Sequence, residues 1–248
     1  MTESKGTAIE VEGLRKSFGA QRVLNGIHFR VRQGETLSVL GRSGTGKSVL
    51  LKLIVGLLKP DSGTISIHGR DITRASVDEL NEVRKTIGFL FQMAALYDSL
   101  TIEENVAFPL RRHKRLGTSE RRDRVEELLK NVGMEEHRKK LPAQVSGGMQ
   151  KRVGLARALA LDPDILLFDE PTTGLDPITS GEIEELILSI RQKNKTASVV
   201  VTHDMHAARA ISDRLALVDE GNILAEGTYE ELEESRDEFV VQFLGQRA

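Results

Sequence analysis

Residues 41–48 read GRSGTGKS, with glycines at 41, 44 and 46 and then at once a lysine and a serine. Glycines at that spacing let a backbone turn tightly and aim its N–H groups inward, which is the chemistry of a polyphosphate cradle. Lys47 is placed to reach the outer phosphates of a nucleoside triphosphate, and the Ser48 hydroxyl to ligate Mg2+. A second stretch, ILLFDE at 165–170, ends an apolar run in two adjacent carboxylates. Asp169 suits the Mg2+ shell, and Glu170 suits polarising or deprotonating an attacking water. A third, QVSGGMQKR at 144–152, holds no residue placed to act as acid, base or nucleophile. Its serine and bare glycines precede the helical pattern Val153, Leu155, Ala156 and Leu159, so it offers backbone N–H groups at a helix start: half of an anion site.

These residues need rigid strand ends and helix starts behind them. LSVL at 37–40, ILLF at 165–168 and SVVV at 198–201 are apolar runs, broken only by the small Ser38 and Ser198, and predict parallel strands covered on both faces. Ile9 and Val11, then Ile27, Phe29 and Val31, then Ile65 and Ile67 alternate with polar residues and predict an antiparallel β layer. Val125, Leu128, Leu129 and Val132, stopped by Gly133, and Ile183, Leu186, Ile187 and Ile190 carry helical spacing. Ser76 with Glu79, Thr101 with Glu104, and Thr228 with Glu231 each pair a hydroxyl with a carboxylate three residues on, the pattern of a capping box. No buried-strand run falls between about 93 and 156, which predicts a helical subdomain inserted into an α/β fold. The end of the chain, TYEELEESRDEFVVQFLGQRA, reads as one capped helix that packs on the core or touches a second subunit.

Composition narrows the function classes. With 248 residues the chain can bury a full core. A net charge of −2 argues against a nonspecific nucleic-acid binder. The absence of cysteine excludes disulfides, thiolate catalysis and Cys-ligated zinc. MTESKGTAIEVEG lacks a signal-peptide core, and no stretch has the roughly 18 apolar residues of a membrane helix, so a soluble chain without an exported start is expected. RRHKRL at 111–116, with Arg121 and Arg122 after it, is offset by neighbouring acids and reads as a solvated face.

The order GRSGTGKS, FLFQ ending at Gln92, VSGGMQKR, ILLFDE, TGLD and VVVTHD resembles the nucleotide-binding domain of ABC-type ATPases across nearly the whole chain. The resemblance implies one domain over 1–248. Residues 1–92 and 157–248 would form a P-loop NTPase (RecA-like) core with the β layer, and 93–156 the helical signature subdomain. It implies ATP and Mg2+, with Gly41, Arg42, Ser43, Gly44, Thr45, Gly46, Lys47, Ser48 and Val49 around the phosphates and Phe18 of KSFG stacked on adenine. Ser48, Gln92 and Asp169 would serve the metal, and Lys47, Gln92, Glu170 and His203 the hydrolysis. Asp176 would lie in a loop that communicates between two sites. Ser146, Gly147 and Gly148 would complete the site of a second copy. Taken singly, Phe18 also suits a core position, His203 a structural histidine, Gln92 a cap or surface residue and TGLD a plain turn; their joint order carries the assignment. Val145 and Met149 depart from the usual LSGGQ, which puts the role of the fifth side chain in doubt and leaves the Ser146 and Gly148 donors intact.

After Gln92, MAALYDSLTIEENVAFPLRRH, together with Met149 and TTGLDPITSG, resembles the MlaF-like ATPases of MCE-associated transporters, which move phospholipids or related hydrophobic molecules between membranes. That implies two copies on the cytoplasmic face of the inner membrane, held by integral permease subunits whose coupling helices enter near Gln92 to Leu110. An MCE-type substrate-binding protein and small accessory subunits complete the implied partners, with no nucleic acid. Ala94, Ala95, Leu96, Tyr97 and Phe108 are the apolar candidates for the permease groove, or else pack inside the helical subdomain. The alternative function is a regulatory ABC ATPase of the cell-division type, which signals to a membrane protein without transport.

Overall fold

The computed structural model describes residues 6–42, 44–113 and 116–245. Two long strands, β1 (Thr7–Phe18) and β2 (Gln21–Arg32), open the chain and are followed by the short buried β3 (Thr36–Leu40). Next come α1 (Lys47–Ile54), β4 (Ser62–Ile67), β5 (Arg70–Asp71), α2 (Val77–Arg84) and β6 (Ile87–Leu90). A helical stretch, α3 (Ile102–His113), α4 (Thr118–Asn131) and α5 (Gly147–Ala158), leads to β7 (Ile165–Asp169) and α6 (Pro177–Asn194). The remainder is β8 (Ala197–Thr202), α7 (Met205–Ile211), β9 (Arg214–Asp219), β10 (Asn222–Gly227), α8 (Tyr229–Glu233) and α9 (Glu238–Phe243). The chain divides into two compact units, one running to Asn81 and resuming at Ala197, the other spanning Glu82–Thr196.

The first unit contains the expected antiparallel layer, in the order β2-β1-β4-β5. Val11 stands opposite Phe29 on one side and Ile65 on the other, so the apolar residues of three strands share a face. Because side chains alternate along a strand, the same register sends Glu10 and Arg30 to the other face, where they form an ion pair. The same unit holds parallel pairs of β3 with β8 and with β9, and β10 adds to β9 in the antiparallel sense. Every residue of β3 and β8 is buried, including the small polar Thr36 and Ser38 of β3 and Ser198 and Thr202 of β8, so both faces of these strands are covered.

The chain end packs on this core, but as two helices. Thr228 caps α8, accepting from Glu231 N at 3.2 Å. Asp237 then starts α9, accepting from Phe239 N and Val240 N at 2.9 and 3.3 Å. A residue that satisfies two N–H groups of a new first turn competes with continuation of the old helix. Val240 is buried with Leu40, Leu217 and Leu232.

In the second unit β6 and β7 pair in parallel, Gly88 opposite Leu166. Among the described residues from 93 to 156 there are helices and turns but no strand. The expected capping box at Thr101 forms: Glu104 accepts from Thr101 N at 2.9 Å while Thr101 Oγ1 accepts from Glu104 N at 3.3 Å. Its counterpart at Ser76, in the first unit, has the same two bonds, at 2.9 and 3.3 Å.

Candidate functional site

In the first unit β3 ends at Leu40 and α1 begins at Lys47, so the glycine-rich loop lies between a buried strand end and a helix start. Gly46 has φ 90°, and a Cβ there would lie inside contact distance of Val23 Cγ1 on β2. A Cβ on Gly41 would come within 2.6 Å of Val218 O on β9. The loop is pressed against two strands, and glycine is what the space admits. The buried Lys47 ammonium donates to Gly41 O at 2.7 Å and Arg42 O at 3.0 Å. Thr45 Oγ1 donates to Arg42 O at 2.9 Å. Ser48 and Val49 stand half-buried in the first turn of α1, which carries no acidic side chain, so its partial positive charge is open to an anion. Ser43 lies outside the described residues. A cradle shaped by Cβ-free positions, with an ammonium inside it, fits a polyphosphate.

His203 follows the end of β8 and is exposed. Asp204 next to it caps α7, accepting from His206 N at 2.8 Å. His203 lines a cavity of about 480 Å3 with Gly41, Arg42, Asp219 and the α9 rings Phe239 and Phe243. Histidine and phosphate loop are thus brought to one cleft. Phe18 does not line it: it stands at the β1–β2 hairpin tip, 47 % exposed, with Lys16 Nζ 5.4 Å from its ring centroid. That exposure removes the core reading; Lys16 lies over the ring, which is otherwise open to solvent and able to stack.

In the second unit β7 delivers Asp169 and Glu170, both buried. Glu170 has φ 48°, although it carries a side chain and precedes Pro171. Its Oε2 accepts from Thr173 Oγ1 at 2.9 Å and its carbonyl from Lys151 Nζ at 2.9 Å. Burial pushes Lys151 down to about 8, against the opposing pull of the Asp169 and Glu170 charges. Among the described residues no group of three or more His, Asp or Glu forms a ready metal cage. The Asp169 carboxylate in this unit, like the Ser48 hydroxyl in the first, is an oxygen donor of the kind Mg2+ takes alongside phosphates and water.

Ser146 caps α5: its Oγ accepts from Met149 N at 3.3 Å, and its carbonyl takes the first intrahelical bond, from Gln150 N, at 2.9 Å. Ser146 and Gly147 are exposed, whereas Gly148 is buried so closely that a Cβ would collide with Thr179 Cγ2. Thr179 is held by Asp176, which caps α6 and accepts from Thr179 N at 3.0 Å and Thr179 Oγ1 at 2.6 Å. The Thr179 hydroxyl, then its N–H, keeps the Asp176 carboxyl below the usual range. The SGG turn and the TGLD turn are therefore packed together, a juxtaposition their spacing in the chain does not reveal.

Gln92 is exposed and Met93 is 83 % exposed. Ala94 and Ala95 follow with φ 56° and 48°, and the Arg157 guanidinium clamps both carbonyls at 2.6 Å. Ala94 is buried against Gly154, so it belongs to the core and not to a groove. Tyr97 packs its ring against Phe108 in a tilted pair, centroids 4.7 Å apart and planes at 42°, while staying half exposed. Three residues the sequence reading passed over thus organise this unit: Lys151, Arg157 and the fully buried Asn105, which bonds Tyr97 N, Tyr97 O, Leu100 O and Thr101 O at 2.8–3.1 Å. Lys151 shares a buried face of α5 with Gly148 and Leu155, but neighbours of those types do not by themselves turn a lysine inward.

Residues 24–173 match the family model described as ABC transporter. The chain is 45 % identical over 242 residues to the probable ribonucleotide transport ATP-binding protein mkl of Mycobacterium leprae, covering 98 % of this chain and 70 % of that one. It is 42 % identical over 236 residues to the intermembrane phospholipid transport system ATP-binding protein MlaF of Haemophilus influenzae, covering 95 % and 89 %. A dimeric ATP-binding cassette solved in a post-hydrolysis state, bound to ADP and Pi, matches with a TM-score of 0.82 at 35 % identity, covering 89 % of this chain and 98 % of that one.

Proposed function

The chain belongs to the ABC transporter family as an ATP-binding, ATP-hydrolysing subunit that uses Mg2+, and from that premise we propose that two copies close around two ATP molecules to drive a membrane permease for phospholipids or related lipids. In this reading Lys47 leaves the carbonyls of Gly41 and Arg42 for the β- and γ-phosphates, and the N–H groups of the loop take the rest of the triphosphate. Ser48, Gln92 and Asp169 serve Mg2+, which offsets charge on the phosphates. Glu170 takes a proton from the water that attacks the γ-phosphorus as the bond to the β-phosphate oxygen breaks. His203 donates to the γ-phosphate, Phe18 stacks on adenine, and Asp176 relays between the sites.

The site is completed from the second copy. Ser146 Oγ accepts its capping bond but retains a hydroxyl proton to donate, and the early N–H groups of α5 point out of the helix start. ATP then binds the closed pair better than the open one, and that difference in affinity drives closure; hydrolysis removes it. In this reading membrane attachment is through the permease, on the cytoplasmic face of the inner membrane, as the resemblance to the MlaF-like ATPases implies. Among the described residues no helix is long and apolar enough to cross a bilayer.

The lipid reading rests on the segment after Gln92. Exposed Met93 and Tyr97 offer a permease an apolar surface beside the nucleotide-sensing glutamine, and this segment is where the chain resembles the phospholipid ATPases. The identity to MlaF also runs over 89 % of that protein. An MCE-type binding protein is the partner that the resemblance to the MlaF-like ATPases implies. The test is reconstitution of the chain with its co-purifying membrane subunits in vesicles holding labelled phospholipid. ATP-dependent transfer to acceptor vesicles is expected. Intact ATPase activity without transfer would favour the signalling alternative, and ribonucleotide uptake by the same vesicles would replace lipid as the cargo.

A further inference from the structure

Glu170 sits in a conformation that its chemistry disfavours twice. A residue with a Cβ avoids φ near +48°, and a residue before proline is steered to extended backbone, φ about −120°. Such a conformation persists when its surroundings over-determine it, and its effect is to fix the direction in which the side chain leaves the strand end. The holding contacts here come from α5 and from the turn that follows. Lys151 Nζ donates to Glu170 O at 2.9 Å, Thr173 N reaches the same carbonyl at 3.4 Å, and Thr173 Oγ1 ties Oε2 at 2.9 Å. Of these only Lys151 comes from outside the turn itself. Lys151 as a residue is 5 % exposed, an unusual burial for lysine unless the ammonium is paired. The helix that carries it begins at Ser146, so one rigid element spans the SGG turn and the backbone of the carboxylate.

We propose that Lys151 is a positioning residue for hydrolysis: by holding the Glu170 carbonyl it keeps the left-handed turn that aims the Glu170 carboxylate, and it ties that aim to the position of the SGG turn on the same helix. This rests on the reading of Glu170 as the group that takes the proton from water. In this role Lys151 acts through the Glu170 backbone and not on the reacting groups themselves.

The test is a double-mutant cycle in the full chain. Lys151→Met keeps the length and apolar stem and removes the donor. Its kcat is expected to fall about 10- to 100-fold, the scale of a catalytic group displaced by an ångström, with KM and ATP-binding stoichiometry within about twofold of the parent. In a Glu170→Gln background the same change is expected to cost nothing further, because its target is already disabled. A wild-type kcat for Lys151→Met, or an equal loss in both backgrounds, would overturn the proposal, the second outcome marking a general structural role. Full-rate hydrolysis by Glu170→Gln alone would instead overturn the reading of Glu170. Should Lys151→Met fail to bind ATP stoichiometrically, Lys151→Leu, which also removes the donor and keeps an apolar stem, carries the same cycle with the same expected outcomes.

Discussion

Gly46 meets two independent constraints, a φ of 90° and a Cβ position already occupied by Val23. Gly46→Ala must shift either α1 or β2, and the loop between them is what a phosphate would read. ATP affinity is expected to fall at least about tenfold in calorimetric titration, with stability lowered by about 1–3 kcal/mol in urea unfolding. Wild-type affinity would show that the loop tolerates the shift. The need for glycine here was legible in the sequence because one loop of eight residues contains the whole motif. Lys151 was not legible for the opposite reason. Its partner is a backbone carbonyl nineteen positions on, and nothing in the types of residues 144–152 distinguishes a lysine that folds inward from one that faces water.

Elements show the same division. The buried runs that became β3, β7 and β8, and the alternating runs of β1, β2 and β4, could be read because burial on one face or two imprints a period. β6 is four residues with a glycine inside it, and β10 is a half-exposed strand whose pattern does not alternate cleanly, so neither left such a mark. Helix α5 is another case. Its apolar spacing was visible, but not that Lys151 and Arg157 on it each hold the carbonyls of side-chain-bearing residues with positive φ, at Glu170 and at Ala94 and Ala95. The capping boxes were visible because their geometry is local, and they carry a pH signature. Glu104 is held below the usual carboxylate range, first by Thr101 N and then by the Thr101 hydroxyl. A carboxylate with a lowered folded pKa contributes stability that is complete above its unfolded pKa, about 4.3, and is lost as pH falls through the folded value. Glu104→Gln is therefore expected to be less stable than the parent at neutral pH and to converge with it in acid. Parallel stability curves from pH 7 to pH 2 would deny the box its charge.

For the whole molecule the decisive property is that the SGG turn is exposed at a helix start while the Lys47 cradle belongs to the other compact unit. If each chain completes its partner's site, then two different lesions must complement. A Lys47→Ala chain keeps a sound SGG turn; a Ser146→Arg chain keeps a sound cradle. In a mixed pair both lesions fall on one site, and the other site is intact. Random pairing of equal amounts makes half of the pairs mixed, each with one working site of two, so about a quarter of the parent ATPase rate is expected if the sites turn over independently. Each variant alone should be near zero. The recovered rate should also rise with protein concentration at fixed composition, because the closed pair forms by association and ATP stabilises it through its higher affinity for that state. An inactive mixture at concentrations where the parent is active would mean that the lesions act within one chain. That result would return the SGG glycines to a helix cap packed against Thr179, with no part in a neighbour's chemistry.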